Sequence, residues 1–187
     1  MKESIETYLI EDEKVLWSAD VEKFVPLDNT YKSKFVKTVV VSVVAFVVLS
    51  LLYIKMTQTN GIEVMPWLII AIAVAAIAPI LGFFRDASKL SKSSYVITDK
   101  RLLIIRDEAK GVSFNAIKEA EFRTDADGHV SLLCGADARA LKDVQIRNRS
   151  AIGDAAIDEG VCRRFVWYAV PEAEKVKAIL SNYINIA

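Results

Sequence analysis

Two stretches without charge limit what this chain can be. From Thr38 to Ile54 (TVVVSVVAFVVLSLLYI) there is no charged residue, proline or glycine, and Phe35 and Val36 carry the apolar character past Lys37; the second stretch, Val64 to Phe84, is uncharged for 21 residues. A bilayer core of about 30 Å takes about 20 helical residues, with a lower limit near 17. Both stretches therefore predict membrane-spanning helices, at about 36–54 and 64–84, the first with Lys37 snorkelling to the headgroups. A signal peptide is a poor alternative, because the first stretch starts only at residue 38 and no small-residue cleavage site follows it. A soluble helical hairpin buried in a core is the remaining alternative.

The connection Lys55–Glu63 (KMTQTNGIE) is short and polar, which predicts an antiparallel hairpin with both flanks on one side. Lys32, Lys34 and Lys37 precede the first helix and Arg85, Lys89 and Lys92 follow the second, whereas the loop holds only Lys55 and Glu63. By the positive-inside rule both termini are then cytoplasmic, in a multi-pass protein of the inner membrane. Pro66 suits a first helical turn, and Tyr53 and Trp67 are placed as interfacial aromatics. Trp17, further upstream, is a third candidate interface anchor if Lys14–Ala19 lies flat on the bilayer; the same segment is also able to add an edge strand to a sheet. In the second helix the small residues Ala71, Ala75, Ala78 and Gly82 offer a helix-packing face, in the first place for Thr38–Ile54 and otherwise for a partner membrane protein, and Pro79 predicts a kink. With no ionisable residue inside this span, an ion or proton pathway has nothing to carry it.

Beyond the helices, charge argues against a nucleic-acid partner: from Ser93 onward 14 basic side chains meet 14 acidic ones. Cys134 and Cys162 form no CxxC pattern and read as buried or half-buried thiols. His129 has no second His or Cys at ligand spacing, and no GxGxxG, GxxxxGK[ST] or GxSxG motif occurs, so the chain reads as non-enzymatic, with no metal and no cofactor.

The C-terminal region predicts strands. Ser94–Arg106 reads as strand, turn, strand about Asp99-Lys100, and Val112–Phe114 as a third strand. Lys118–Thr124 and His129–Cys134 flank Asp125-Ala126-Asp127-Gly128, a tight hairpin turn. Asp143–Asn148, alternating at Val144 and Ile146, reads as a sixth strand, and Cys162–Ala169 as a seventh. From Pro171 an amphipathic helix presents Val176, Ile179, Leu180, Tyr183 and Ile184 on one face. The fold class is thus an α+β membrane protein, in which a two-helix transmembrane hairpin precedes a seven-stranded, partly open β-barrel closed by a C-terminal helix. Its parts are an N-terminal cytoplasmic segment (1–34), the hairpin (35–86) and the barrel domain (93–187). Arg139–Gly160 reads as a polar loop or an extra hairpin, a solvated surface or a partner-binding excursion.

The run Tyr95-Val96-Ile97-Thr98-Asp99-Lys100-Arg101-Leu102 resembles the opening of the bacterial pleckstrin-homology-like (PH-like) domain family, Y-x-[ILV]-T-[DN]-x-R-[LIV] after a transmembrane hairpin. Phe114–Ala120 resembles the family's passage from third to fourth strand, Pro171–Leu180 its closing helix, and Glu13-Lys14-Val15-Leu16-Trp17 the segment before its first membrane helix, with Glu11-Asp12 in place of the usual Pro-Gly. The resemblance implies a PH-like fold; it does not specify a role. PH folds bind phosphoinositide headgroups through basic residues near the first hairpin, which implies Lys100, Arg101, Arg106 and Lys110 as lipid headgroup contacts. Asp99, Asp107 and Glu108 lie among them and dilute the field, so a structural or interfacial role for Arg101 is the simpler reading. The expected function is a membrane-anchored binding module, an accessory or assembly subunit whose partners are membrane lipids and another membrane protein or a second copy. Anionic-lipid sensing at the cytoplasmic face is the alternative.

Overall fold

The computed structural model describes residues 5–21, 29–61 and 63–187. The chain divides into two units, 1–25 together with 86–187, and 26–85.

In the second unit, α1 spans Asn29–Asn60 and is long and apolar enough to cross a membrane: an 18-residue window within Lys32–Asn60 has a mean hydropathy of 2.6, and only 6% of it is buried. α2 spans Pro66–Leu90, begins at the proline expected in its first turn and runs through Pro79. α1 outruns its predicted limits at both ends, and α2 runs past its predicted C-terminus. Lys55–Asn60, expected in the loop, is helical, and its polar side chains bond back to carbonyls of the preceding turn instead of turning the chain. Thr57 Oγ1 donates to Ile54 O at 2.7 Å, Thr59 Oγ1 to Lys55 O at 2.9 Å and Asn60 Nδ2 to Met56 O at 2.9 Å. Gly61, at φ 64°, then ends α1 in the left-handed conformation that favours glycine. The helices meet edge to face at Phe35 and Phe84, with ring centroids 6.3 Å apart, and a groove of about 190 Å³ between them is lined by Ser42, Val43 and Phe46 against Ala73, Ala76, Ile77 and Ile80.

The first unit holds two four-stranded antiparallel sheets. One has the order β1-β2-β3-β4, with β1 Val15–Asp20, β2 Ser94–Thr98, β3 Arg101–Ile105 and β4 Ala109–Ser113. The other has the order β5-β6-β8-β7, with β5 Ala120–Thr124, β6 Val130–Cys134, β7 Ala155–Asp158 and β8 Val161–Trp167. A 3-10 turn, Phe114–Ala116, connects the sheets, and no hydrogen-bonded ladder joins them among the described residues, so the barrel is not closed.

Two corrections to the strand set follow. Asp143–Ile152 is a helix, α4, in place of a sixth strand: Gln145 Oε1 accepts from Lys142 N at 2.9 Å at its start, and Gly153 caps its end at φ 61°. Its buried residues Ile146, Arg147, Ser150 and Ala151 follow a helical stripe, and two alternating positions were too few to tell the periods apart. The polar 139–160 region is ordered throughout as the end of a short helix, α3 (Ala136–Arg139), then α4 and β7. β7 and β8 join through Glu159-Gly160, both at positive φ (47° and 76°), the geometry of a two-residue hairpin turn.

β1 is the edge strand that Lys14–Ala19 offered as one of its two readings. It precedes both helices, yet it pairs with β2, which follows them, from Val15↔Thr98 to Asp20↔Ser94. The first residues go with it. Val96, Leu103 and Ile105 on the outer face of that sheet are covered by Ile5, Tyr8 and Leu9. The 1–34 segment is therefore not separate: its described part up to Val21 is folded onto the β-domain, while 22–28 lie outside the described residues.

The core between the sheets is built on Trp167, fully buried and stacked on Tyr95 at 4.8 Å and 10°. α5, Ala173–Leu180, is shorter than predicted and buries Val176 and Leu180 on this core; beyond it Ile184 is buried, whereas Tyr183 is half exposed and stacks on Phe114 at 4.8 Å. The chain then bonds to the free side of β5, with Ala120 N donating to Asn185 O (3.0 Å) and Ala187 N to Ala120 O (2.8 Å). Cys134 and Cys162 are buried free thiols; burial pushes Cys162 up to about 11, and burial together with neighbouring Cys162 pushes Cys134 well up.

Candidate functional site

The four basic residues expected at a headgroup site do not form one. Lys100 and Arg101 sit at one end of β3 and Arg106 at the other; five residues of strand separate the two arginines by about 16 Å.

At the first end Arg101 is enclosed. Its Nε donates to Glu13 Oε1 at 2.8 Å, and its Nη2 donates to Glu13 Oε2 and Tyr8 O, both at 2.9 Å. Glu13 also accepts from Thr98 Oγ1 (2.7 Å) and from Ile10 N (2.8 Å), and its side chain has no exposed area. Burial alone would raise this carboxyl. The Arg101 hydrogen bonds, the Ile10 amide, the Thr98 hydroxyl and the Arg101 charge outweigh burial and hold it down to about 2. Lys100 Nζ donates to Glu11 O at 3.1 Å. The two residues fasten the N-terminal segment.

Trp17 is not an interface anchor either. It is 6% exposed, packs on Trp167 at 6.2 Å, and its Nε1 reaches Glu172 Oε2 at 3.5 Å. Tyr53 accepts a hydrogen bond from Met65 N at 2.8 Å, and Trp67 is 61% exposed. Ala71, Ala75 and Ala78 are exposed, and a Cβ on Gly82 would meet nothing within 4 Å. The small face of α2 is thus distinct from the Ala73 and Ala76 face that lines the groove with α1.

At the other end of β3 lies a cleft of about 250 Å³. It is lined by Lys89 from the last turn of α2, by Arg106, Asp107, Glu108 and Lys110 around the β3–β4 turn, and by Ile104, Ile152 and Gly153. The turn closes with Arg106 N donating to Glu108 O at 3.1 Å, and Tyr8 Oη donates to Asp107 O at 3.3 Å. Arg106 Nη1 donates to Ala151 O at 2.6 Å, placing a cation at the C-terminus of α4, where the helix dipole favours one. The β3–β4 hairpin brings Arg106 and Lys110 together, and Lys89, expected only as a membrane flank, lines the same opening.

A second cluster lies on the β5–β6 turn, where ligand atoms of Asp125, Asp127 and His129 come within 4.8 Å of one another. Asp125 Oδ1 accepts from Asp127 N and His129 N, both at 2.9 Å. Its Oδ2 accepts from Tyr168 Oη at 3.1 Å and faces His129 Nδ1 at 3.3 Å. Both oxygens are thus occupied in building the hairpin and holding it to β8. Other basic side chains brace the domain: Arg123 donates to Leu141 O and Arg139 O (2.8 Å each), and Arg164 pairs with Asp154 at 2.7 Å.

Compared with known proteins, the chain matches no family model, no curated protein and no solved structure.

Proposed function

We propose that the chain is a two-span membrane protein with both flanks of its helix pair on the cytoplasmic side, where its β-domain acts as a non-enzymatic binding module in the assembly of a membrane protein complex. The observation that carries this reading is the β1–β2 ladder, which joins Asp20, before α1, to Ser94, after α2. A chain that enters a bilayer between these residues must return before the second, because the ladder cannot form across it. One crossing by α1 therefore requires a second, and α2 is the apolar segment able to make it. The lysines and arginines on both flanks favour the cytoplasmic side. Two sheets closed by a C-terminal helix, with the Tyr95–Leu102 motif in β2 and β3, support the PH-like reading of the domain. Anchoring raises the effective concentration of such a domain for any partner in the same membrane.

The exposed small residues of α2 support a helical partner, since Ala71, Ala75 and Ala78 are not used against α1. Anionic-lipid sensing by all four predicted bases is disfavoured by the commitment of Arg101 to Glu13. Purification of the tagged full chain from its native membrane in a mild detergent tests the reading. A membrane protein is expected to co-purify in a fixed ratio and to be lost, with the β-domain still folded, in the Ala75→Phe/Ala78→Phe variant. A chain that emerges alone would overturn the assembly role.

A further inference from the structure

Five charged side chains line the cleft beside the β3–β4 turn without neutralising one another. Lys89, Arg106 and Lys110 bring positive charge and Asp107 and Glu108 negative charge to one opening. Arg106 is held in place by Ala151 O, while the side chains of the other four make no hydrogen bond or ion pair among the described residues. A purely anionic ligand would meet three cations and two repelling carboxylates, and a purely cationic one the reverse. A small zwitterion satisfies both sets: an anionic phosphate for the lysines and the arginine, and an ammonium for the carboxylates. A primary ammonium fits better than a quaternary one, because only N–H groups donate hydrogen bonds to Asp107 and Glu108.

We infer that this cleft binds a phosphoethanolamine group, carried by a lipid headgroup or by a soluble phosphoethanolamine compound. The lipid source rests on the membrane reading proposed above, under which Lys89 lies only five residues past the uncharged stretch that ends at Phe84, about 7.5 Å of helix rise. The charge pattern itself does not depend on that reading.

The test titrates the full chain, in an uncharged detergent, with short-chain phosphatidylethanolamine, phosphatidylcholine and phosphatidylglycerol, counting retained lipid by native mass spectrometry. Phosphatidylethanolamine is expected to be retained about tenfold better than either other lipid, and Lys89→Ala with Lys110→Ala is expected to reduce that retention about tenfold. Asp107→Asn with Glu108→Gln should abolish the preference and raise phosphatidylglycerol retention. Lys100→Ala, at the far end of β3, should change nothing, and an unaltered far-UV spectrum in each variant shows that the fold is kept. Equal retention of the three lipids, a preference for phosphatidylglycerol, or insensitivity to the paired lysine substitution would overturn the inference. Added O-phosphoethanolamine separates the sources: displacement at concentrations equal to the lipid assigns a soluble compound, and failure to displace assigns the headgroup. Alkaline carbonate washing of native membranes tests the membrane reading separately; release of the chain would sink that reading and leave the titration interpretable.

Discussion

Arg101→Ala is expected to destabilise the β-domain by about 3–5 kcal/mol, the usual cost of removing one partner from a buried ion pair. The reason is what the substitution leaves behind. Glu13 has no exposed side-chain area, and Arg101 supplies both of its cationic hydrogen bonds. Without the guanidinium the carboxylate must take up a proton or draw water into the sheet edge, and either outcome loosens the Ile5–Asp20 segment. Glu13→Gln should cost less, since the amide keeps an acceptor for Thr98. Acid separates the two variants. The folded Glu13 carboxyl lies at about 2, below its ordinary value of 4.5, so its contribution is fully present above about 4.5 and lost as pH falls from there towards 2. The parent should lose stability across that window, and Glu13→Gln should have a correspondingly flatter acid limb. Thermal unfolding of the full chain in detergent, followed by near-UV signals from the buried Trp17 and Trp167, measures both. A change below about 0.5 kcal/mol for Arg101→Ala, the level of an ordinary surface substitution, would show that the clamp contributes nothing.

Gly135→Ala is expected to cost about 3 kcal/mol or more, since one methyl group would meet backbone in a conformation that only glycine adopts easily. Gly135 lies between β6 and α3 at φ 89° and ψ 158°. A Cβ there would come within 2.4 Å of Cys162 O and 2.5 Å of Arg163 O, both backbone atoms of β8. Neither can rotate away, so relief requires β6 and β8 to separate, next to the Cys134↔Phe165 pairing. Gly128→Ala is the matched comparison: it too has positive φ (84°), but a Cβ there meets nothing within 4 Å. It should therefore cost only the conformational part, about 1 kcal/mol. Equal midpoints for the two variants in denaturant unfolding would show that the close approach of β8 is not what requires glycine at 135.

What the sequence disclosed was whatever short-range pattern determined. The two uncharged stretches disclosed both helices, though not their ends, because the polar Lys55–Asn60 continues α1 with Thr57, Thr59 and Asn60 bonding back to the preceding turn. Asp125-Ala126-Asp127-Gly128 disclosed the β5–β6 hairpin because the turn chemistry is local. Val144 and Ile146 misled, since Gly153, which ends the helix they belong to, lies beyond the window that alternation examines. β1 was open to two readings because its partner comes 74 residues later, across both helices. That one pairing then decided the rest: it buried Trp17, brought Glu13 to Arg101 and removed half of the expected basic cluster. The cleft was equally hidden, since Lys89 and Gly153 reach the β3–β4 turn from segments distant in the chain.

The central claim is that one sheet is assembled from both flanks of a helix pair that crosses the membrane twice. Single cysteines at Ser18, Gln58 and Asp137, all exposed, test it in intact cells with a membrane-impermeant maleimide. The native Cys134 and Cys162 are buried and raised in pKa, so background labelling stays low. Gln58→Cys is expected to be labelled from outside, while Ser18→Cys and Asp137→Cys react only after permeabilisation. Labelling that places Ser18→Cys and Asp137→Cys on opposite faces would contradict it, because β1 and β2 could not then share a sheet.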